Sequence, residues 1–141
     1  MCVAPAIKPV DRKSRNQGMN WASQHKRLAI YTRDGFACCY CGSSVEEGVK
    51  LTLDHIIPHS LGGGNEVTNL ITCCHKCNSS RGNRPVEVFV TATAAYLNHG
   101  IQAEQILAHI TACLQRAIDT KTARELIARR GSCFNVLQSM V

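Results

Sequence analysis

Aromatic side chains are scarce in this chain, at 5% of its 141 residues. Proteins that read single-stranded nucleic acids by stacking bases need a platform of aromatic rings. The sequence has no cluster of aromatic residues that could form one, which argues against an RNA-binding module of that kind. No apolar run approaches the length that a membrane span requires, so no membrane partner is expected.

The first ten residues also lack the apolar stretch of a secretory signal. They hold two prolines and a lysine instead, whereas a signal peptide needs a continuous apolar segment behind its basic start. We therefore expect a cytoplasmic, intracellular protein whose cysteines stay reduced.

The nine cysteines do not suit a disulfide framework. Their number is odd, and four of them form the adjacent doublets Cys38–Cys39 and Cys73–Cys74. CxxC pairs in a protein without a secretory signal are typical of metal ligands. Two such pairs predict one structural zinc ion, held by Cys38, Cys41, Cys74 and Cys77.

The remaining cysteines fit the zinc prediction less well. Cys39 or Cys73 could substitute in principle, but their spacing to the next cysteine is less suitable for a shared ion. Cys113 lies in an apolar helical stripe and is predicted to be a core residue, and His109 has no evident partner.

Acidic residues are nearly absent from the N-terminal quarter. Residues 1–33 hold seven lysines and arginines against Asp11 alone, which accounts for the whole net charge of +6. A basic arm beside a compact module suits binding to a phosphate backbone. A solvated tail that aids solubility explains the charge equally well.

The length fits one domain, in which we distinguish a flexible basic arm (1–18), a central unit (19–84) and a helical extension (85–141). The central unit is predicted to contain a helix over 20–33, short strands near 50–54 and 69–72, and a helix over 74–81 that Gly82 ends. Residues 34–82 are too polar and glycine-rich to build a hydrophobic core alone. Bound zinc would stabilise this segment in place of that core.

The extension is predicted to be helical. Pro85 favours a helix over 86–97, although valine and threonine there also allow a strand. An apolar stripe predicts a helix over 101–118, and a capping box at Thr122–Glu125 predicts another that ends at Gly131. These helices could complete the core, bind DNA or form a dimer.

An Asp54–His55 pair follows the first predicted strand, between the two CxxC pairs. Successive strand residues face opposite sides, so the two side chains can reach different targets. A carboxylate suits a hard metal ion, and a neutral imidazole suits taking a proton from water. Most Asp-His pairs are surface or hydrogen-bonding residues without a catalytic role. The position of this pair between the two CxxC pairs is what supports a functional role.

The order of these motifs resembles the HNH endonuclease family over roughly residues 33–82. The matching segments are Arg33-Asp34-Gly35-Phe36, Cys38-Cys39-Tyr40-Cys41-Gly42, Asp54-His55-Ile56-Ile57-Pro58, Asn69-Leu70, Cys74-His75-Lys76-Cys77-Asn78 and Arg81-Gly82. The resemblance implies an α+β fold, namely a ββα-metal (His-Me finger) core stapled by a four-cysteine zinc site and flanked by N-terminal and C-terminal helices.

The resemblance also assigns roles. His55 would be the general base, and Asn69 would hold the following loop and orient His55. Asp54 and Asn78 would bind the catalytic Mg²⁺ or Mn²⁺, and asparagine at the last position gives the H-N-N subtype. Arg81 would contact phosphate; the further basic candidates for nucleic-acid binding are Lys26, Arg27, Arg33 and Lys76.

The resemblance therefore implies a metal-dependent endonuclease that hydrolyses DNA, most simply double-stranded, and leaves 5′-phosphate and 3′-hydroxyl ends. A homodimer or larger assembly would supply more than one active site. The alternative is a non-catalytic zinc-ribbon-type nucleic-acid-binding module, which has no use for the Asp, His and two Asn together. A RING module would need about eight metal ligands in interleaved order.

Overall fold

The computed structural model describes residues 21–98 and 100–141, and the predicted arm over 1–18 lies outside them. The helices and strands are α1 (Gln24–Arg33), β1 (Leu51–His55), β2 (Leu70–Cys74), α2 (His75–Arg81), α3 (Val86–Leu97), α4 (Ala103–Gln115), α5 (Thr120–Arg130) and α6 (Cys133–Gln138). Single 3₁₀ turns lie between them at Val45–Glu47, His59–Leu61 and Val67–Asn69. None of the helices in residues 21–98 and 100–141 combines the length and the apolar character that a membrane crossing needs.

The centre of the fold is a ββα unit. Strands β1 and β2 pair antiparallel, from Leu51 opposite Cys74 to His55 opposite Leu70. Helix α2 follows β2 directly, and the Cys74 sulfur accepts the backbone N–H of Cys77 at its start. Helices flank this unit on both sides in the sequence, so the predicted α+β class and its ββα core are confirmed.

Two apolar clusters enclose the small sheet, and β2 is buried along its whole length. One cluster joins Tyr40 and Ile71 to apolar residues of α3 and α4. The other joins Leu53 and Leu70 to α1, α5 and α6. The C-terminal helices therefore complete the core, which is one of the three roles that the sequence left open.

Helix α1 lies where the sequence predicts a helix. The Ser23 side chain accepts the Lys26 N–H at its start, and Asp34 ends it. Because a hydroxyl oxygen satisfies one of the unpaired N–H groups of the first turn, Ser23 sets the boundary. Leu28 and Tyr31 are buried, as expected, whereas Trp21 is only partly buried.

Residues 86–97 form the predicted helix, so the strand alternative is wrong. The rest of the extension differs from prediction in detail, and α4 covers Ala103–Gln115 rather than 101–118. Helix α5 begins at Thr120 rather than after a capping box at Thr122, because the Asp119 carboxylate accepts the Thr122 N–H and thereby caps the helix earlier. The short helix α6 was not predicted.

Candidate active site and zinc centre

The two CxxC pairs meet at one point. The sulfurs of Cys38, Cys41, Cys74 and Cys77 lie within 4.8 Å of one another, and those of Cys41 and Cys74 are 3.8 Å apart. A tetrahedral zinc ion with Zn–S bonds of about 2.3 Å would hold its sulfurs about 3.8 Å apart. The predicted four cysteines can therefore hold zinc, and neither Cys39 nor Cys73 belongs to this group.

The local backbone also favours deprotonated sulfurs at this centre. The N–H groups of Cys41 and Cys77 point at the sulfurs of Cys38 and Cys74, each across 3.4 Å. The Cys77 thiol donates to the Cys38 sulfur, which lowers the pKa of Cys38 to about 5 and raises the pKa of Cys77, while burial raises the pKa of Cys74. Cys38 is therefore the sulfur that most readily supplies the thiolate to which a metal binds.

Asp54, the predicted ligand of the catalytic metal, lies at the end of β1 with its carboxylate largely buried. Its Oδ2 accepts a hydrogen bond from the Tyr40 hydroxyl at 2.5 Å and one from Arg81 Nη1 at 2.8 Å. Burial raises the pKa of Tyr40, and the nearby Asp54 charge raises it further, so the phenol stays protonated and donates. Both contacts use Oδ2, so Oδ1 is the oxygen with which Asp54 could bind a cation.

Arg81 lies inside the protein, with 1% of its surface exposed. Its guanidinium donates to Asp54 Oδ2, and to the backbone oxygens of His55, Ile56 and Arg84 at 2.7, 2.7 and 2.9 Å. The prediction that Arg81 contacts phosphate does not agree with this position, because internal acceptors surround the guanidinium. It joins α2 to the end of β1 instead.

Arg33 is likewise internal, and its side chain forms a two-bond ion pair with Asp34. Its Nη atoms also donate to the backbone oxygens of Val67 and Leu70 at 2.9 and 2.6 Å. The predicted DNA contact at Arg33 is therefore not supported, because the same burial that satisfies the guanidinium removes it from the surface. It ties the end of α1 to the start of β2.

His55, the predicted general base, is partly exposed at the last position of β1. Its Nε2 lies 2.8 Å from Asn65 Oδ1. An amide oxygen can only accept, so Nε2 carries the proton and Nδ1 is the ring nitrogen that can receive one. The Trp21 ring packs against the imidazole, with centroids 4.7 Å apart.

Asn65 and Trp21 were missed as partners of His55. Asn65 follows a run of three glycines and lies ten residues after His55, and Trp21 lies more than thirty residues before His55. Neither periodicity nor motif spacing links them to His55. Only the folded loop and the approach of α1 bring them to the imidazole.

Asn69 fastens the loop that follows β1. Its Oδ1 accepts the Ile57 N–H at 2.9 Å, and its Nδ2 donates to the Ile57 and Gly64 oxygens at 3.2 and 2.9 Å. Lys26 Nζ donates to the Asn65 backbone oxygen in the same loop. Asn69 thus contacts the loop that carries Asn65 rather than the imidazole, and its predicted effect on His55 would pass through Asn65.

Asn78 lies on α2 beside β1. Its Nδ2 is 3.3 Å from the backbone oxygen of Leu53, the residue before Asp54. With Nδ2 directed at the strand, Oδ1 is the atom with which Asn78 could bind a cation. The donor set of one carboxylate and one amide oxygen fits a hard ion such as Mg²⁺ or Mn²⁺.

The other basic candidates lie nearer the surface. Lys76 is exposed, with Nζ 6.0 Å from the centre of the Tyr96 ring. Arg27 is partly buried and lies 5.4 Å over the Trp21 ring, which places it beside the His55 environment. Lys26 is held at the loop by its bond to Asn65. Their contact with nucleic acid stays a prediction.

Residues 38–91 match the sequence profile of a family described as HNH endonuclease. Two relatives are each named CRISPR-associated endonuclease Cas9. The one from Corynebacterium diphtheriae is 30% identical over 92 residues, and the one from Actinomyces naeslundii is 33% identical over 85 residues. The alignments cover 64% and 60% of this chain but 8% of each relative.

A solved structure of the Type II-C Cas9 enzyme from Actinomyces naeslundii is also similar, with a TM-score of 0.45 and 25% identity. It covers 92% of this chain and 12% of that one, so the chain spans a small part of the proteins it matches. The profile match includes both CxxC pairs, Asp54–His55, Asn69 and Asn78. Over residues 38–91, this chain is therefore similar to the HNH endonuclease family, as the order of its motifs predicts.

Proposed function

We propose that this chain hydrolyses DNA phosphodiester bonds with His55 as the general base and a divalent cation as cofactor. The observation that carries the proposal is the setting of His55. Its Nε2 is bonded to Asn65 Oδ1 at 2.8 Å and its ring packs against Trp21. The hydrogen bond favours the tautomer in which Nδ1 is the basic nitrogen, and the Trp21 ring restricts the orientation of the imidazole.

A general base works only when its geometry is fixed relative to the water that it activates. Asn65 fixes the ring through a loop that Asn69 and Lys26 hold in turn. His55 Nδ1 would take the proton of a water molecule as that water attacks the phosphorus. Asn65 would then stabilise the imidazolium, because its amide oxygen accepts from the ring N–H.

Asp54 and Asn78 would bind Mg²⁺ or Mn²⁺ through their side-chain oxygens. Such an ion, when bound, supplies positive charge that offsets the negative charge gathering on the phosphate and leaving oxygens. The Arg81 guanidinium holds the Asp54 carboxylate in place for this role through their ion pair. Attack of the water on phosphorus would break the bond between phosphorus and the 3′-oxygen, and that oxygen would take a proton from solvent. The products would carry 5′-phosphate and 3′-hydroxyl ends.

DNA is the proposed substrate because of the charge distribution. The net charge is +6, and the excess lies in residues 1–33. In the described part of that segment, the Trp21 ring packs against His55. Arg27 and Lys26 lie on α1 near this ring and its loop. Cations beside the base would attract the phosphate backbone to it.

Nicking of a supercoiled plasmid tests the proposal. We expect cleavage with Mg²⁺ or Mn²⁺, none with a chelator, and a loss of about 10²-fold or more in His55→Ala. His59→Ala is the matched control, because that ring lies 6.0 Å from His55 and has no role in the proposed step. Sealing of the nicks by DNA ligase without end repair would support the proposed end chemistry.

A folded, zinc-containing wild-type protein that binds DNA and cuts none with either metal would overturn the proposal. The non-catalytic zinc-ribbon-type binding module would then be the better description. Equal cleavage by wild type and His55→Ala would leave a nuclease but remove His55 as its base. The ratio of linear to nicked product would bear on whether the protein acts as a homodimer.

A further inference from the structure

A second group of metal-binding side chains lies outside both sites described above. Cys39, His109 and Cys113 each offer one ligand atom, and these atoms lie within 4.8 Å of one another. Cys39 and Cys113 are buried, and His109 is exposed. The zinc centre and the proposed nuclease site use none of the three.

Two separate elements bring these side chains together. His109 and Cys113 are four residues apart on α4, so they lie on the same face of the helix one turn apart. Cys39 lies in the first CxxC turn, where its N–H donates to the Thr72 oxygen at 2.9 Å. That bond fixes the Cys39 backbone against β2, independently of α4.

The geometry fits a tetrahedral ion. His109 Nε2 and Cys113 Sγ are 3.6 Å apart. Bonds of about 2.3 Å to sulfur and about 2.05 Å to nitrogen at a tetrahedral angle place the two atoms about 3.6 Å apart. The other two pairs of ligand atoms also lie within 4.8 Å. Shifts of about 1 Å would bring those atoms to tetrahedral spacing.

The electrostatics also fit. Arg116 Nη1 lies 3.8 Å from Cys113 Sγ, and a nearby guanidinium favours a thiolate there. Two thiolates would neutralise a divalent ion, so the buried site would carry little net charge.

We propose that Cys39, His109 and Cys113 form a second zinc site, which joins α4 to the first CxxC turn. Thiolate and imidazole ligands favour zinc over Mg²⁺ or Mn²⁺. Three protein ligands leave the fourth position of a tetrahedral ion for water, and the exposed His109 gives that position access to solvent. The site is a structural link that does not depend on the nuclease activity.

Zinc content measured by mass spectrometry of metals tests the proposal. The full chain is purified under reducing conditions, loaded with zinc and dialysed. We expect about two zinc ions per chain in wild type and about one in Cys113→Ser and in His109→Ala. His25→Ala, a histidine of α1 outside both zinc groups, should keep about two.

Cobalt substitution gives a second measurement. Two coordination types should show two sets of visible absorption bands in wild type, and His109→Ala should lose one set. Cys113 is fully buried, so Cys113→Ser could fail to fold. His109 is exposed, and His109→Ala removes a ligand without opening a cavity in the core.

Wild-type protein that binds about one zinc ion per chain after zinc loading would overturn the proposal. A Cys39–Cys113 disulfide, found in peptides of protein kept under native reducing conditions, would also overturn it. Unchanged zinc content in His109→Ala would show that the imidazole is not a ligand.

Discussion

Arg81 Nη1 and Asp54 Oδ2 form an ion pair 2.8 Å long inside the protein, with side-chain exposures of 1% and 9%. The pair joins α2, which carries Asn78, to the end of β1, which carries His55. Breaking one partner of a buried ion pair leaves an uncompensated charge. The candidate catalytic residues therefore depend on Arg81 for their relative position, although Arg81 has no open face toward a substrate.

Replacing Arg81 should destabilise the protein rather than only weaken DNA binding. We expect Arg81→Met to lower the free energy of unfolding by about 3–5 kcal/mol, because the Asp54 carboxylate then stays buried without its partner. Urea denaturation followed by circular dichroism measures the change. The double variant Arg81→Met/Asp54→Asn should recover part of the loss, because it removes the isolated charge. An unchanged unfolding curve with weaker DNA binding would favour a phosphate contact instead.

Lys76 and Arg33 should respond in opposite ways to substitution by methionine. Lys76 is exposed, so Lys76→Met should keep stability and reduce the salt dependence of DNA affinity by about one unit in the log–log slope. Arg33 is buried with Asp34, so Arg33→Met should lower stability by several kcal/mol, on the order of 3. Binding titrations at several salt concentrations, together with denaturation curves, separate the two effects. A stable Arg33→Met protein with a reduced salt slope would contradict this assignment.

The sequence predicts elements whose signals are local. The Asp34 end of α1 and the CxxC turns depend on side chains within a few residues of one another, and the structure has them where the pattern places them. The Ser23 cap was not predicted, and it begins α1 later than the predicted start at residue 20. The predicted start of α5 was too late, because Asp119 and Thr122 are both possible helix caps. The Asp119 carboxylate accepts the Thr122 N–H and is the cap in the structure.

The sequence does not predict which arginines are internal. Arg33 and Arg81 follow the family motif and carry charge, so a role at phosphate is the natural expectation. Arg33 has one local partner, Asp34, and Arg81 has one local acceptor, the Arg84 oxygen. The other backbone acceptors lie 34 or more residues from Arg33 and 25 or more residues from Arg81 along the chain, and no local pattern encodes those contacts. The same limit applies to Asn65 at His55 and to Cys39 at Cys113, whose partners come from separate elements.

Gly63 is a sensitive position in the loop behind His55. A Cβ there would lie 1.7 Å from the Ile57 oxygen and 3.0 Å from Asn69 Nδ2. Gly63→Ala should therefore displace the loop, lower nuclease activity about tenfold or more, and destabilise the protein by about 1–3 kcal/mol. Ser60→Ala, at an exposed position of the same loop, is the control. Wild-type activity in Gly63→Ala would show that the loop does not position His55.

Removing one ligand of the Cys38–Cys41–Cys74–Cys77 zinc centre should unfold the ββα unit. Cys41 is the partly exposed member of the four, so Cys41→Ser disturbs packing least. We expect loss of this zinc ion and a cooperative loss of structure, because zinc binding supplies folding free energy in a small polar unit. Cys133→Ser is the matched control outside both metal groups, measured by zinc content and thermal unfolding. A fully folded Cys41→Ser protein with normal zinc content would contradict the assignment.

Tyr31 should make stability depend on pH in the alkaline range. Burial raises its pKa from 10.0 to about 12, with the Arg27 hydrogen bond opposing the shift, and its hydroxyl donates to the Leu51 oxygen. Folding therefore favours the neutral phenol, and this contribution is complete below about pH 10 and is lost as pH rises through about 12. At about pH 11 roughly 1 kcal/mol should be gone relative to about pH 8.

Tyr31→Phe isolates this effect, because the variant cannot ionise at position 31 while every other group is kept. At about pH 8 we expect the variant to be less stable by about 1 kcal/mol, from the lost hydrogen bond. The difference from wild type should shrink as pH rises from about 8 to about 11, since only wild type loses the neutral-phenol contribution. Urea denaturation across that range measures the difference. A difference that stays constant with pH would show that Tyr31 ionises equally easily in the folded and unfolded chains.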